Sequence, residues 1–261
     1  MQELTRAEIV EGLKRVGLEP GEMVMTHSSM KSFGMRVEGG PATVIEAVSE
    51  AVGPEGTTAY PAFPFFGYMS EALPRNPVME MSKMPSLMGV ITETARNTPG
   101  FIQSIRPYHT VLARGARASW LVEGHQYGLS NTGAGSPFEK LLELDALILL
   151  LGVDSDANTF LHCCEEIIPA PYIYNGQIYE NLLIAPDGRK WKVRSRGFTT
   201  SHPRQLNRID PVLRERGLLA ETTIGKARVM AMRAARVYEV VSELFQSDPY
   251  FLVKEGPGKL T

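Results

Sequence analysis

Between Asn158 and Glu166 the chain reads Asn-Thr-Phe-Leu-His-Cys-Cys-Glu-Glu, a run that holds the residue types general acid–base chemistry needs. If Thr159 to Ile168 is helical with Asn158 as its N-cap, then Thr159, His162 and Glu165 or Glu166 recur at spacings of three and four and share one face. A carboxylate beside an imidazole raises its basicity and fixes its tautomer, so His162 with Glu165 can act as a general base. The same spacing equally suits a structural histidine salted to its own helix. Successive residues on a helix point about 100° apart, so Cys163 does not face His162 and reads as a small buried hydrophobe rather than a nucleophile.

Three other places carry reactive groups. His27-Ser28-Ser29 follows a short apolar run and could offer backbone donors and hydroxyls to phosphate or pantetheine, or make Ser28 a hydrolase nucleophile. No Gly-x-Ser-x-Gly surrounds Ser28, and a Ser-rich turn capping the next segment explains the run as well. Gly133-Ala134-Gly135-Ser136-Pro137-Phe138 has neither dinucleotide nor P-loop spacing and by itself reads as a turn. His109, His125 and His202 show no metal-ligand pattern and are assigned to surface or core; the adjacent Cys163 and Cys164 give neither a disulfide framework nor a zinc spacing. No metal is expected.

These groups need elements to hold them. Ala146 to Val153 is a continuous apolar run suited to a strand buried on both faces, and the Asn158–Glu166 stretch follows its carboxyl end, where α/β proteins place ligands. Upstream, Thr5-Arg6-Ala7-Glu8 is a capping box that opens a helix lasting to Gly17. Val24-Met25-Thr26 is a short strand, Gly39-Gly40-Pro41 starts a helix carrying Val44, Val48 and Val52, and Thr57 to Tyr60 is another strand. Pro61 to Pro85 is a long irregular stretch of the kind that is often functional, and Leu87 to Arg96 is helical. Further on, Leu182-Leu183-Ile184 and Trp191-Lys192-Val193-Arg194 flank Pro186-Asp187-Gly188 as a hairpin with one wet face. Apolar residues from Ile224 to Leu244 step by three or four, predicting an amphipathic helix from about Thr223 to Phe245. The sum is an α/β fold, one domain over residues 1–261, with a mixed central sheet, flanking helices and an antiparallel hairpin in the C-terminal half.

Composition narrows the function class. Among 261 residues, 43% are hydrophobic and 21% charged, which excludes disorder, coiled coil and collagen. No export signal and no stretch of about 18 apolar residues is present, so a cytoplasmic protein without membrane contact is expected. Lys plus Arg, 27, nearly balances Asp plus Glu, 29, but the balance conceals polarity along the chain. The 48 residues between Lys140 and Arg189 contain eight acids and no Lys or Arg. Residues 189–236 hold thirteen bases against three acids. An acidic wall would collect a cationic substrate, with Asp154, Asn158 and Glu166 as its binding groups, and a basic wall would meet phosphates. The bland reading is that the two blocks pair or face water. A nucleic-acid module built on 189–236 ranks last, because aromatics other than Trp191 and Phe198 are missing and no recognition motif occurs.

Taken in order, His27-Ser28-Ser29-Met30-Lys31-Ser32-Phe33-Gly34, Gly39-Gly40, Gly53-Pro54-Glu55-Gly56-Thr57, Ser86-Leu87-Met88-Gly89, Gly135-Ser136-Pro137-Phe138 and Asn158-Thr159-Phe160-Leu161-His162 with Glu165 resemble the aminoglycoside 3-N-acetyltransferase family. The resemblance implies transfer of an acetyl group from acetyl-CoA to a substrate amine, with His162, Glu165 and Thr159 at the reaction centre. It implies coenzyme A held by His27, Ser28, Ser29, Lys31, Ser32, Met88, Thr110, Ser136, Pro137 and Phe138, between the His-Ser-Ser and Ser-Pro-Phe loops. A cationic small-molecule amine is the expected partner, nucleic acid is not, and a homodimer stays open. Two segments depart from the family pattern. Arg106-Pro107-Tyr108-His109-Thr110 stands where His-Pro-x-x-Ser is usual, and Pro61-Ala62-Phe63 lacks a threonine that could bond the thioester oxygen.

Overall fold

The computed structural model describes residues 3–65 and 67–254. Its strands in chain order are β1 (Met23–Ser28), β2 (Thr57–Pro61), β3 (Val78–Glu80), β4 (Ile102–Gln103), β5 (Val111–Gly115), β6 (Leu147–Leu151), β7 (Tyr174–Ile184), β8 (Lys190–Phe198), β9 (Ala220–Ile224) and β10 (Ala227–Arg233). The helices are α1 (Arg6–Arg15), α2 (Pro41–Val52), α3 (Met69–Arg75), α4 (Val90–Arg96), α5 (Ala118–Val122), α6 (Pro137–Glu143), α7 (Phe160–Ile167), α8 (Ile209–Glu215) and α9 (Ala234–Ser247).

The main sheet runs β4-β5-β2-β1-β6-β10-β9. Its heart is parallel, with Val24 of β1 opposite Thr58 of β2 on one side and Leu147 of β6 on the other. The strands outside that heart, β5 and β4 on one flank and β10 and β9 on the other, pair antiparallel. A smaller sheet, β3-β7-β8, carries the expected hairpin.

The apolar run in β6 explains its central place. Leu147, Leu149 and Leu151 pack with residues of α1, α2 and α4, whereas Ile148 and Leu150 pack on the opposite face with residues of α6, α7 and α9. Each such side chain contributes roughly 1.5–3 kcal/mol by leaving water, so a five-residue strand apolar on both faces is held between two helical layers. At the N-terminus the capping box forms: the Glu8 amide donates to Thr5 Oγ1 at 3.3 Å and the Thr5 amide to Glu8 Oε2 at 2.8 Å.

Two expectations change. The helix expected from Thr223 starts only at Ala234, because Ala220–Ile224 and Ala227–Arg233 form an antiparallel pair joined at Gly225-Lys226. β10 pairs edge to edge with β6 and is buried on both faces at its centre, so its apolar residues do not alternate with polar ones and imitate helical spacing. Gly225 has φ +58, and a Cβ there would sit 2.9 Å from the Phe33 carbonyl, so the tight turn requires glycine. Within Pro61 to Pro85, α3 and β3 form, and Asn181 of β7 fastens α3 to the small sheet by donating to Leu73 O at 2.9 Å and Asn76 O at 2.8 Å. No helix among the described residues is long and apolar enough to cross a membrane.

Candidate active site

β1, β2 and β6 end on the same edge of the sheet, and β5, running the other way, begins there. The turn after β6 leads into α7, whose first amide is capped by Asn158: the Phe160 N–H donates to Asn158 Oδ1 at 3.1 Å. Thr159 takes the cap position without a side-chain cap bond. Helical geometry then places His162 and Glu165 one turn apart on the face toward the sheet edge.

His162 Nδ1 lies 2.6 Å from Glu165 Oε2, and Arg204 Nε donates to Glu165 Oε1 at 3.0 Å. The Glu165 side chain is wholly buried and that of His162 is 21% exposed, so the carboxylate is sealed and the imidazole reaches the surface of a cavity. Burial would push the Glu165 carboxyl up, but the hydrogen bond and charge of His162 with the charge of Arg204 outweigh it and hold the group below the usual carboxylate range. A carboxylate only accepts, so His162 Nδ1 carries the proton and Nε2 is left as the basic nitrogen.

The cavity measures about 430 Å³. Phe63, Phe65, Tyr108 and Phe198 supply apolar wall, Met88 adds to it, and His109, His202 and Arg204 supply polar groups. Phe198 ends β8, and the loop after it brings His202 and Arg204 over α7, so the small sheet closes the site from above. Two further imidazoles stay neutral here. Burial pushes His27 down to about 3, helped by the charge of His162. His109 is driven well below its ordinary value by burial and by His162, His125 and Arg106.

The next residue of α7 faces elsewhere. Glu166 Oε2 accepts from the Ser130 hydroxyl at 2.7 Å, the Thr132 hydroxyl at 2.8 Å, the Gly133 amide at 2.6 Å and the Thr132 amide. Its Oε1 accepts from the Asn131 amide at 3.2 Å and the Tyr174 hydroxyl at 2.8 Å. A Cβ on Gly133 would lie 2.9 Å from Glu166 Cβ, so only glycine lets the loop close on the carboxylate. From the other side Arg106, 1% exposed, clamps the same loop by donating to the carbonyls of His125, Gly128 and Leu129 and to Asn131 Oδ1. Burial pushes the Arg106 guanidinium down to about 10, which leaves it charged at neutral pH.

The structure therefore separates the residues singled out by sequence. His162 and Met88 line the cavity, the sealed Glu165 bonds His162 from behind, His27 is buried where the charge of His162 acts on it, and Thr110 is buried next to His109 in the chain. Thr159 lies at the start of α7, nearly buried. Ser28 is not among the cavity's lining residues, and no hydrogen bond joins it to His162 among the described residues. Ser29 and Lys31 belong to the turn after β1, where the Ser32 hydroxyl donates to Gly152 O at 2.5 Å; Ser32 and Asp154 line a different, open groove with Lys226 and Arg228.

Ser136, Pro137 and Phe138 form the start of α6. The Ser136 hydroxyl donates to Thr132 O and accepts from the amides of Phe138 and Glu139, which exhausts its capacity, and Phe138 is fully buried in the core. Asn158 and Glu166 are engaged within the fold, through the α7 cap and the 130–133 loop. None of the acids between Lys140 and Arg189 lines the cavity among the described residues. Across the two charged blocks, Glu165 pairs with Arg204 and Asp187 with Arg189.

Sequence reasoning missed His109, His202 and Arg204. His109 lies inside the Pro107-Tyr108-His109-Thr110 segment, which was a usable signal; nothing local marked Arg204. His125 is a core residue as expected, its ring nitrogens 2.9 Å from Ser104 Oγ and 2.9 Å from Asn131 O. Among the described residues no group of three or more His, Cys, Asp or Glu is placed to hold a metal ion.

A family model described as aminoglycoside 3-N-acetyltransferase matches residues 25–246. Aminoglycoside N(3)-acetyltransferase III of Serratia marcescens is 32% identical over 202 residues, covering 72% of this chain and 74% of that protein. Aminoglycoside N(3)-acetyltransferase IV of Salmonella sp is 29% identical, covering 98% and 93%. Among solved structures, the binary complex of AAC-IIIb with CoASH superposes with a TM-score of 0.81 at 26% identity over 98% of this chain and 100% of that one. A mutant of AAC(3)-IVa in complex with apramycin superposes with a TM-score of 0.78 at 26% identity over 96% of each.

Proposed function

This chain belongs to the aminoglycoside 3-N-acetyltransferase family and is an acyltransferase, and from that premise we propose that it moves the acetyl group of acetyl-CoA directly to an amine of an aminoglycoside or related cationic small molecule, with His162 as general base. The observation that carries this reading is the chain of contacts from Arg204 through the sealed Glu165 carboxylate to His162 at the cavity surface.

A primary amine is mostly protonated in neutral water and is then no nucleophile, so acyl transfer needs a base within reach of it. With Nδ1–H donated to Glu165, His162 presents the Nε2 lone pair to the amine. The acceptor reacts as the free amine, its ammonium proton having been lost to solvent; as the nitrogen attacks the thioester carbonyl, one N–H proton passes to Nε2, and the imidazolium so formed sits against a carboxylate whose position Arg204 fixes. Collapse of the intermediate returns that proton to the departing thiolate. Thr159 keeps the role of a hydroxyl at the start of α7, close to the base in sequence.

The aromatic lining suits a polycation in a way the sequence did not anticipate. Ring faces of Phe63, Phe65, Tyr68 and Tyr108 attract ammonium groups through their quadrupoles, without an acidic wall. Coenzyme A, whose bound form in AAC-IIIb is named above, would reach the site from the β1 turn, where Ser32 shares a groove with Lys226 and Arg228. One domain over the whole chain and a metal-free reaction are part of the same reading.

The test is direct. Purified protein with acetyl-CoA and a panel of amines, aminoglycosides first, should release free thiol only when an acceptor is present. Thiol release at the same rate without any amine would replace acetyl transfer by hydrolysis.

A further inference from the structure

We propose that His109 is a second catalytic imidazole, donating its Nε2–H to the carbonyl oxygen of the acetyl thioester as that oxygen becomes negative; the inference rests on the acetyl-transfer reading above. Its ring lines the same cavity as His162, with the two ring centroids 6.0 Å apart. Phe63 at 4.9 Å and Phe198 at 5.1 Å pack against the ring, and the backbone is left-handed, φ +42, a conformation a non-glycine residue keeps only when its surroundings enforce it.

The hydrogen bonding decides which edge is active. His109 is 4% exposed, and its Nδ1 is covered and without a partner among the described residues. An unpaired buried donor costs more than an unpaired lone pair, so Nδ1 is bare and the proton resides on Nε2, on the edge left to face the cavity. Burial, His162, His125 and Arg106 all oppose a positive charge on this ring. It is therefore a neutral donor that does not repel His162 when that residue becomes imidazolium.

Position also matters. The Ala62 amide donates to Thr110 O at 2.8 Å, which ties the 107–110 segment to the residue where a threonine hydroxyl was expected and an alanine methyl stands. His109, whose ring packs against the adjacent Phe63, brings a polar hydrogen to this segment.

In the step itself, the amine nitrogen bonds to the carbonyl carbon while its proton goes to His162. The carbonyl electron pair moves to oxygen, which accepts the His109 hydrogen bond. The pair then re-forms C=O, the C–S bond breaks with its electrons on sulfur, and sulfur takes the proton from His162, giving amide and free coenzyme A.

Acetonyl-CoA, a ketone analogue carrying ¹³C at the carbonyl, reports this contact by infrared. On binding the wild-type protein its carbonyl band should move to lower frequency, and in His109→Asn, which tolerates the left-handed backbone, the shift should vanish. Turnover of that variant should fall about 10²–10³-fold, the usual effect of losing one oxyanion donor, with the KM for acetyl-CoA little changed. If His109→Asn does not fold, the wild-type protein decides: the His109 Nε2 proton should move downfield in the NMR spectrum on binding, and a static resonance overturns the proposal. A band unshifted in wild type, or equally shifted in both proteins, removes the role from His109 alone. Failure of acetonyl-CoA to bind at all overturns this role together with the acetyl-transfer reading.

Discussion

Glu165 and Glu166 are neighbours on one helix, both buried, and are held in opposite ways. Glu165 is bonded to ionisable side chains, His162 and Arg204, one of which opens onto a cavity. Glu166 is bonded to amides and hydroxyls of the 130–133 loop and to Tyr174, all neutral. The first arrangement can exchange a proton with a substrate through the imidazole. The second only fixes a loop, because backbone amides do not titrate. For a buried carboxylate, the chemistry of its partners separates function from architecture better than burial does.

Breaking the Glu165 side at its active end should give the largest effect. His162→Ala should lose about 10²–10⁴-fold in turnover while acetyl-CoA affinity, measured calorimetrically, stays nearly constant. Turnover within a few-fold of wild type would place the base elsewhere.

Breaking the Glu166 side should instead appear in folding. Glu166→Gln puts an amide group against donors that need acceptors, and the cost of leaving buried donors unmatched is about 2–4 kcal/mol, read as a lowered denaturation midpoint. Glu165→Gln should show the reverse balance, a turnover loss smaller than that of His162→Ala and a smaller loss of stability than Glu166→Gln. The comparison fails if the two glutamines exchange these signatures.

Acid sharpens the contrast further. His27, buried where the charge of His162 acts on it, is neutral when folded and titrates only near 3, whereas in the unfolded chain it protonates near 6.5. Its folded pKa is depressed, so the unfolded state binds the extra proton, and stability is lost as pH falls from about 6.5 toward 3 at about 1.4 kcal/mol per pH unit for this one group. Glu165, also depressed, adds its own loss at the acid end, below the ordinary carboxylate range. His27→Gln should flatten the upper part of the stability–pH curve by one proton; an unchanged slope would mean that His27 is charged in the fold.

The smallest effect is expected between the two carboxylates and the core. Cys163 is fully buried, and burial raises its thiol well above the ordinary value, so it has no thiolate to offer. Cys163→Ala should cost about 1 kcal/mol of stability and leave turnover close to wild type. A dead Cys163→Ala enzyme, or an acetylated protein accumulating before amine is added, would replace direct transfer by a covalent intermediate.

Much of this was legible along the chain. An unbroken apolar run can be buried on both faces only inside a layered sheet, so Ala146 to Val153 announced β6, and the cap and spacing after it announced α7 with His162 and Glu165 on one face. The same logic misread 223–233, since a strand buried on both sides loses the alternation that tells it from a helix.

What sequence alone determined were contacts set by local geometry: the Thr5–Glu8 box, the Asn158 cap and the one-turn separation of His162 from Glu165. Tertiary structure decided which carboxylate backs the cavity imidazole, that Arg204 reaches Glu165 across 39 residues, that the Ser136 side chain caps the start of α6, and that His109 lines the cavity with His162. Helical periodicity repeats a side chain's direction every three to four residues and so fixes neighbours within a turn. Which distant segment meets that face depends on how sheet edges and loops pack, and that information is spread over the whole chain.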